Sequence, residues 1–136
     1  MNAFEGKISF SSKDDSGENT AFLVPCTYQT DGENAVLSFI EPKGENDVAT
    51  RSRIYMEGER ISIRRQGDMI ADFCFVKDEK TKLKYVTAQG TLEFEINTLE
   101  QKVEFDDDSA YAKVVYDLYY GGEKTARTTV EYKLSR

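Results

Sequence analysis

Apolar residues recur at every second position along most of this chain, and clusters of turn-forming residues interrupt them every few positions. That beat belongs to strands, because successive strand side chains point to opposite faces. No stretch shows a 3.6-residue apolar period, and β-branched and aromatic residues dominate the runs. The clearest example is Arg51 to Val76, which reads strand, tight turn, strand, tight turn, strand. Ile54 and Met56 share one face, and Arg51, Arg53 and Tyr55 share the other. After Glu57-Gly58-Glu59, Ile61, Ile63 and Arg65 share a face, opposite Arg60, Ser62 and Arg64. An even-numbered hairpin loop brings the isoleucines and Met56 to one side, whereas an odd one would invert the faces. Glu57-Gly58 or Gly58-Glu59 can make a two-residue turn. Five of the seven arginines fall in this stretch. Arg51, Arg53, Arg60 and Arg64 then gather on an outer face, and Arg65 points inward one residue from a turn.

The second turn has two readings. A three-residue Gln66-Gly67-Asp68 loop aligns Met69, Ala71, Phe73 and Phe75 with the isoleucines. A two-residue Gly67-Asp68 loop aligns Ile70, Asp72, Cys74 and Val76 instead. The first is preferred, because it keeps Asp72 out of the core and near Arg64, and burying an unpaired carboxylate costs on the order of several kcal/mol.

The rest of the chain follows the same pattern. Phe4, Ile8 and Phe10 alternate before an exposed loop at 13–19. The strand over 20–30 carries Pro25, which marks an edge, a bulge or a bend. A turn at 30–33 precedes a strand over 35–41, and a loop follows over 42–47. A charged turn at 77–81 leads to a strand over 83–89, and Gly90 marks a bulge or sharp bend. Leu92, Phe94 and Ile96 line one face. Asn97 to Gln101 is read as a turn back into Val103 and Phe105, and Asp106-Asp107-Asp108 as the next turn. Val114, Tyr116 and Leu118 lead to Tyr120-Gly121-Gly122-Glu123, a strong hairpin signal. Thr128, Val130, Tyr132 and Leu134 finish the chain.

The expected fold class is therefore all-β. It is an up-and-down antiparallel meander of about 8–10 strands, closed into a β-barrel to hide its edges. Its 136 residues fit a single domain spanning 1–136, long enough to bury roughly two thirds of its surface. A barrel of this size holds a packed core or a small ligand cavity.

In order along the chain stand Ile61-Ser62-Ile63-Arg64-Arg65-Gln66-Gly67, Phe73-Cys74-Phe75, Tyr85-Val86-Thr87, Gly90-Thr91-Leu92 and Tyr116-Asp117-Leu118. Their order and spacing resemble the YwiB-like proteins, small uncharacterised bacterial proteins with a calycin-type, lipocalin-like β-barrel. The likeness covers about residues 50–134, and the first fifty residues agree in strand pattern. Members carry a tyrosine-rich segment before the acidic residue matching Glu41, where this chain reads Leu37-Ser38-Phe39-Ile40-Glu41. The resemblance implies a calycin-like barrel and brings no established activity and no catalytic residues.

Composition narrows the chemistry. A net charge of −7 argues against nucleic acid and anionic membranes as partners. No run of apolar residues is long enough to span a membrane as a helix. The N-terminal residues show no signal-peptide pattern. Cys26 and Cys74 read as reduced thiols, so a cytoplasmic location is expected. The absence of histidine removes Ser-His and Cys-His triads and histidine metal sites, no cofactor is implied, and no enzyme activity is expected. Asp106-Asp107-Asp108 lacks the spaced oxygen ligands of a calcium loop and reads as a solvated turn.

Two candidate sites remain. Inward Arg65, with Tyr85, Tyr116 and Tyr132, could hold a small amphipathic or apolar ligand, the guanidinium taking its acidic end. The competing reading pairs Arg65 with water or a core carboxylate at the rim, and makes the tyrosines core residues. The outer strip Arg51, Arg53, Arg60 and Arg64 could meet a partner or form a homodimer, or pair with local acids such as Glu57, Glu59 and Asp72.

Overall fold

The computed structural model describes residues 2–42, 49–67 and 69–135. The loop expected over 42–47 lies, from residue 43 on, outside the described residues, as does Asp68. Ten strands follow one another: β1 (Asn2–Asp14), β2 (Asn19–Thr30), β3 (Asn34–Glu41), β4 (Thr50–Glu57), β5 (Arg60–Gln66), β6 (Ile70–Phe75), β7 (Lys80–Thr87), β8 (Gly90–Phe105), β9 (Ala110–Tyr120) and β10 (Glu123–Ser135). Each pairs antiparallel with its neighbour in sequence, and β1 pairs with β10, so the sheet closes into a barrel.

The Arg51–Val76 meander has the expected faces. Ile54 stands opposite Ile63 and Met56 opposite Ile61, joined through a two-residue Gly58-Glu59 turn with Gly58 at φ 60. Glycine takes that dihedral without a Cβ penalty. Ile61 faces Phe75, Ile63 faces Phe73, Arg65 faces Ala71 and Arg64 faces Asp72, as the three-residue loop requires. The loop itself sits one residue later than expected. Gln66 still pairs with Ile70, so Met69 belongs to the turn and is largely exposed.

Three expectations are revised. The turn read at 97–101 is a β-bulge between Thr98 and Glu100 inside a single 16-residue strand, β8. The bulge shifts the inward parity by one, and that shift is what imitates a reversal in the sequence. Gly90, at φ 135, closes a β7–β8 hairpin, with Thr87 opposite Gly90. The loop read at 13–19 shrinks, because β1 runs on to Asp14. The Asp14 carboxylate accepts bonds from the Ser16 and Glu18 amides at 3.0 Å each and from the Ser16 hydroxyl at 2.6 Å. Asp106 closes the β8–β9 turn likewise, accepting the Asp108 and Ser109 amides at 2.8 Å each. Tyr120 pairs with Glu123 through Gly121 and Gly122, both at positive φ, as the Gly-Gly signal predicts.

Pro25 lies inside β2 at the point where its ladder to β3 ends. Cys26 still pairs with Phe39, and beyond it β2 continues with β1 alone. Proline has no N–H to continue a ladder on a second side, so its position as an effective edge follows.

Inward residues divide along the barrel axis. Tyr28, Leu37, Met56, Ile61, Ala112 and Leu134 fill the end that holds the β2–β3, β4–β5 and β8–β9 turns, and all are almost wholly buried. The Tyr28 hydroxyl donates to the Asp106 carbonyl at 2.6 Å, and the Gln101 amide nitrogen donates to the Glu59 carbonyl, while Gln101 Oε1 is buried without a partner. The end that holds the β1–β2, β5–β6, β7–β8 and β9–β10 turns is not filled.

Candidate functional site

A cavity of about 250 Å³ opens inside the unfilled end. Its wall is aromatic. Phe10 stacks on Phe22 at 4.8 Å and leans on Tyr132 at 5.0 Å, Phe75 lies 5.0 Å from Tyr116, and Phe73 meets Tyr85 edge-on at 6.2 Å. Strand parity explains this wall, because each ring sits at an inward position of its strand. Such tilted and edge-on pairs suit the ring quadrupole, and the Phe75–Tyr116 pair spans the interior from β6 to β9.

The polar part of the lining comes from the ends of β3, β4 and β5. Arg65 points inward, as its parity predicts, and does not stand alone. Its Nε donates to Glu41 Oε2 at 2.8 Å and its Nη2 to Glu41 Oε1 at 3.0 Å. The Ser52 hydroxyl donates to the same Oε2 at 2.6 Å. Glu41 and Ser52 reach this place because β3 and β4 lie between β2 and β5 in the closed order, with Ser52 directly opposite Arg65 in the ladder. The expected core-carboxylate partner of Arg65 is thus real, and it also occupies one edge of the guanidinium. A side-on pair of this kind is charge-assisted and geometrically specific. The Arg65 side chain is 37% exposed and that of Glu41 17%, so the pair sits at the mouth rather than in the core. Burial works against the Arg65 charge, but the bond and charge of Glu41 outweigh it and hold the group above its ordinary pKa.

The three expected tyrosines line the same cavity. Tyr116 is 9% exposed and Tyr132 8%. Burial pushes the Tyr116 hydroxyl up to about 12 and raises Tyr132 and Tyr85 as well, with Arg65 opposing the shift in each. All three therefore remain protonated donors at neutral pH. Tyr116 lies against Thr128. The hydroxyls of Tyr85 and Tyr132 have no hydrogen-bond partner among the described residues. Both residues line the cavity, so their hydroxyls are the unspent donors of the site.

Glu41 and Ser52 are the site residues that the sequence reading missed. The signal was present: Ala35, Leu37, Phe39 and Glu41 alternate, which places a carboxylate at the inward end of β3 just as Arg65 stands at the inward end of β5.

The outer strip is dispersed in its pairing. Arg51, Arg53, Arg60 and Arg64 are all exposed on the outer face. Arg64 meets Asp72 at 3.4 Å, with both side chains about half exposed. Arg60 Nε donates to the Cys74 sulfur at 3.2 Å instead of to an acid. Arg51 and Arg53 have no acidic partner among the described residues, and Arg53 stands opposite Arg64 in the ladder. Like charges so placed repel. Neither thiol is in a disulfide, and burial pushes Cys26 up to about 11, which leaves it unreactive.

No helix among the described residues is long and apolar enough to cross a membrane. No curated protein matches the chain. Among solved structures, the ywiB protein from Bacillus subtilis superposes with a TM-score of 0.76 at 19% identity, covering 99% of this chain and 93% of that one. That likeness shows a shared fold, in line with the YwiB-like resemblance of the sequence. A family model described as a domain of unknown function, DUF1934, matches residues 4–132, and the chain belongs to that family.

Proposed function

We propose that the barrel is a binding module that takes one small molecule, with an apolar body and one polar end, into the cavity at its open end. The observation that carries this reading is the cavity of about 250 Å³ lined by two tyrosines, Tyr85 and Tyr132, whose hydroxyls have no hydrogen-bond partner among the described residues. An aromatic wall with a few convergent polar groups is what a ligand pocket needs. The apolar body lies among Phe10, Phe22 and Phe73, and the polar end meets Arg65, Tyr85, Tyr116 and Tyr132. Glu41, which accepts from the Ser52 hydroxyl, is engaged on both oxygens by Arg65 as an ion pair, so binding rather than catalysis is proposed. The two unpaired thiols support a reducing, cytoplasmic setting.

The test is native mass spectrometry of the protein isolated from cells, followed by a thermal-shift screen of small aromatic and aliphatic compounds. An adduct of defined mass, or stabilisation that is lost in Tyr132→Phe, is the expected outcome. A barrel that carries nothing and responds to no compound would overturn the reading.

A second reading is self-association or partner docking through the outer strip. It is favoured by Arg51 and Arg53, which no acid neutralises among the described residues. Size exclusion with light scattering at low and high salt tests it. A salt-insensitive monomer removes it.

A further inference from the structure

We propose that the open end of the barrel selects an uncharged hydrogen-bond acceptor, such as the carbonyl of an amide, ketone or ester, over a carboxylate or phosphate. This rests on the reading of the cavity as a ligand site and names the chemistry of the ligand's polar end.

An inward arginine taken alone would call for an anion. The charge balance of this cavity reverses that. Among the described residues, Arg65 and Glu41 are the only charged ones in the lining, and they bond to each other through two contacts at 2.8 and 3.0 Å. Ser52 fixes the carboxylate in place at 2.6 Å. The pair sums to zero before any ligand arrives. A guanidinium carries five N–H donors, and Glu41 takes two of them. The remaining donors of Arg65, together with the Tyr85 and Tyr132 hydroxyls, are unspent. The site therefore offers donors without net charge.

An entering carboxylate would lose its hydration against Phe10, Phe22 and Phe39 and would share one guanidinium with a carboxylate already in place. Both effects cost free energy, since a buried charge needs a counter-charge and two adjacent carboxylates repel. A neutral carbonyl incurs neither cost. It gains a charge-assisted bond from Arg65 and a second bond from a tyrosine. The raised pKa of Tyr116 and its neighbours keeps the hydroxyls in the donor form.

The experiment compares two probes of equal shape, 2-acetylnaphthalene and 2-naphthoate, by isothermal titration with the full chain at low and high salt. The expected result is that the neutral ketone binds about tenfold tighter or more at both salt concentrations. In Glu41→Gln the guanidinium loses its counter-charge, and the order should reverse in favour of the naphthoate. Tyr132→Phe, which leaves the ion pair intact, should weaken the ketone and leave the preference against the anion in place. Naphthoate binding as tightly as the ketone in the unsubstituted protein would overturn this inference and leave the binding reading standing. A preference that disappears at high salt would overturn it too, because it would then come from the acidic surface as a whole. Should Glu41→Gln fail to fold, the ranking in the unsubstituted protein decides alone. Failure of both probes to bind, up to their solubility, would overturn the binding reading and this inference with it.

Discussion

The two ends of the barrel are built from the same ten strands on the same alternation, yet one end is solid and the other hollow. At the solid end the inward positions carry Leu37, Met56, Ile61 and Leu134, flexible or branched aliphatics that interdigitate across a narrow ring. Tyr28, the fully buried aromatic there, meets Phe4 edge-on at 5.2 Å and has its hydroxyl bonded to the Asp106 carbonyl. At the hollow end the same positions carry flat rings and a charged pair. Phe73, Phe75, Tyr85 and Tyr116 pack against one another, and Glu41 and Arg65 hold each other at one side. Cavity and core are therefore set by which side chains stand at inward positions, and the backbone need not change.

Substitutions at the two ends should separate them. The largest expected effect is Leu37→Ala at the solid end, about 2–5 kcal/mol of lost stability by urea denaturation, because the site cannot collapse around the missing atoms. Phe22→Ala at the hollow end removes more atoms and should still cost less, about 1–2 kcal/mol, because the ring already borders open space. Equal losses would mean that the hollow end is packed in solution. Arg65→Ala should cost about 1–2 kcal/mol, with the exposure of the pair limiting the loss. Combining it with Glu41→Ala should cost less than the sum of the two single changes, a coupling readable in a double-mutant cycle.

Alkali provides a further contrast. Folding holds the Tyr116 proton more tightly, with a pKa of about 12 against an ordinary 10.0. The folded state thus binds more protons than the unfolded one above pH 10, and the Tyr116 contribution to stability should be fully present below pH 10 and be lost toward pH 12. Tyr116→Phe should flatten part of that decline, as followed by chemical denaturation across the range. The smallest expected effect is Tyr132→Phe, within about 0.5 kcal/mol at neutral pH, because its hydroxyl has no protein partner to lose. A loss of 1.5 kcal/mol or more, roughly a charged hydrogen bond, would show that the hydroxyl is already engaged.

Much of this was legible in the sequence because period-two alternation with glycine turns leaves few options. The faces of β4, β5 and β6, the inward direction of Arg65 and the convergence of Tyr85, Tyr116 and Tyr132 all follow from parity. What parity could not give was any contact across the barrel. The Glu41–Arg65 bond joins residues 24 apart on strands that are not neighbours, and only the curvature of the sheet brings them together. The bulge near Thr98 was misread for the opposite reason. It breaks the alternation locally, and a one-dimensional reading cannot tell a slipped register from a chain reversal.

The closure of the ring also sets an order of events. Nine of its ladders join segments adjacent in sequence, and the tenth joins Ile8 to Leu134, nearly the whole chain apart. Hairpins can form locally within microseconds, but this last joint must bring β1 and β10 together across more than a hundred intervening residues. The expected route is a ribbon first and a clasp last. Leu134→Ala should accordingly hasten unfolding while leaving the refolding rate almost untouched.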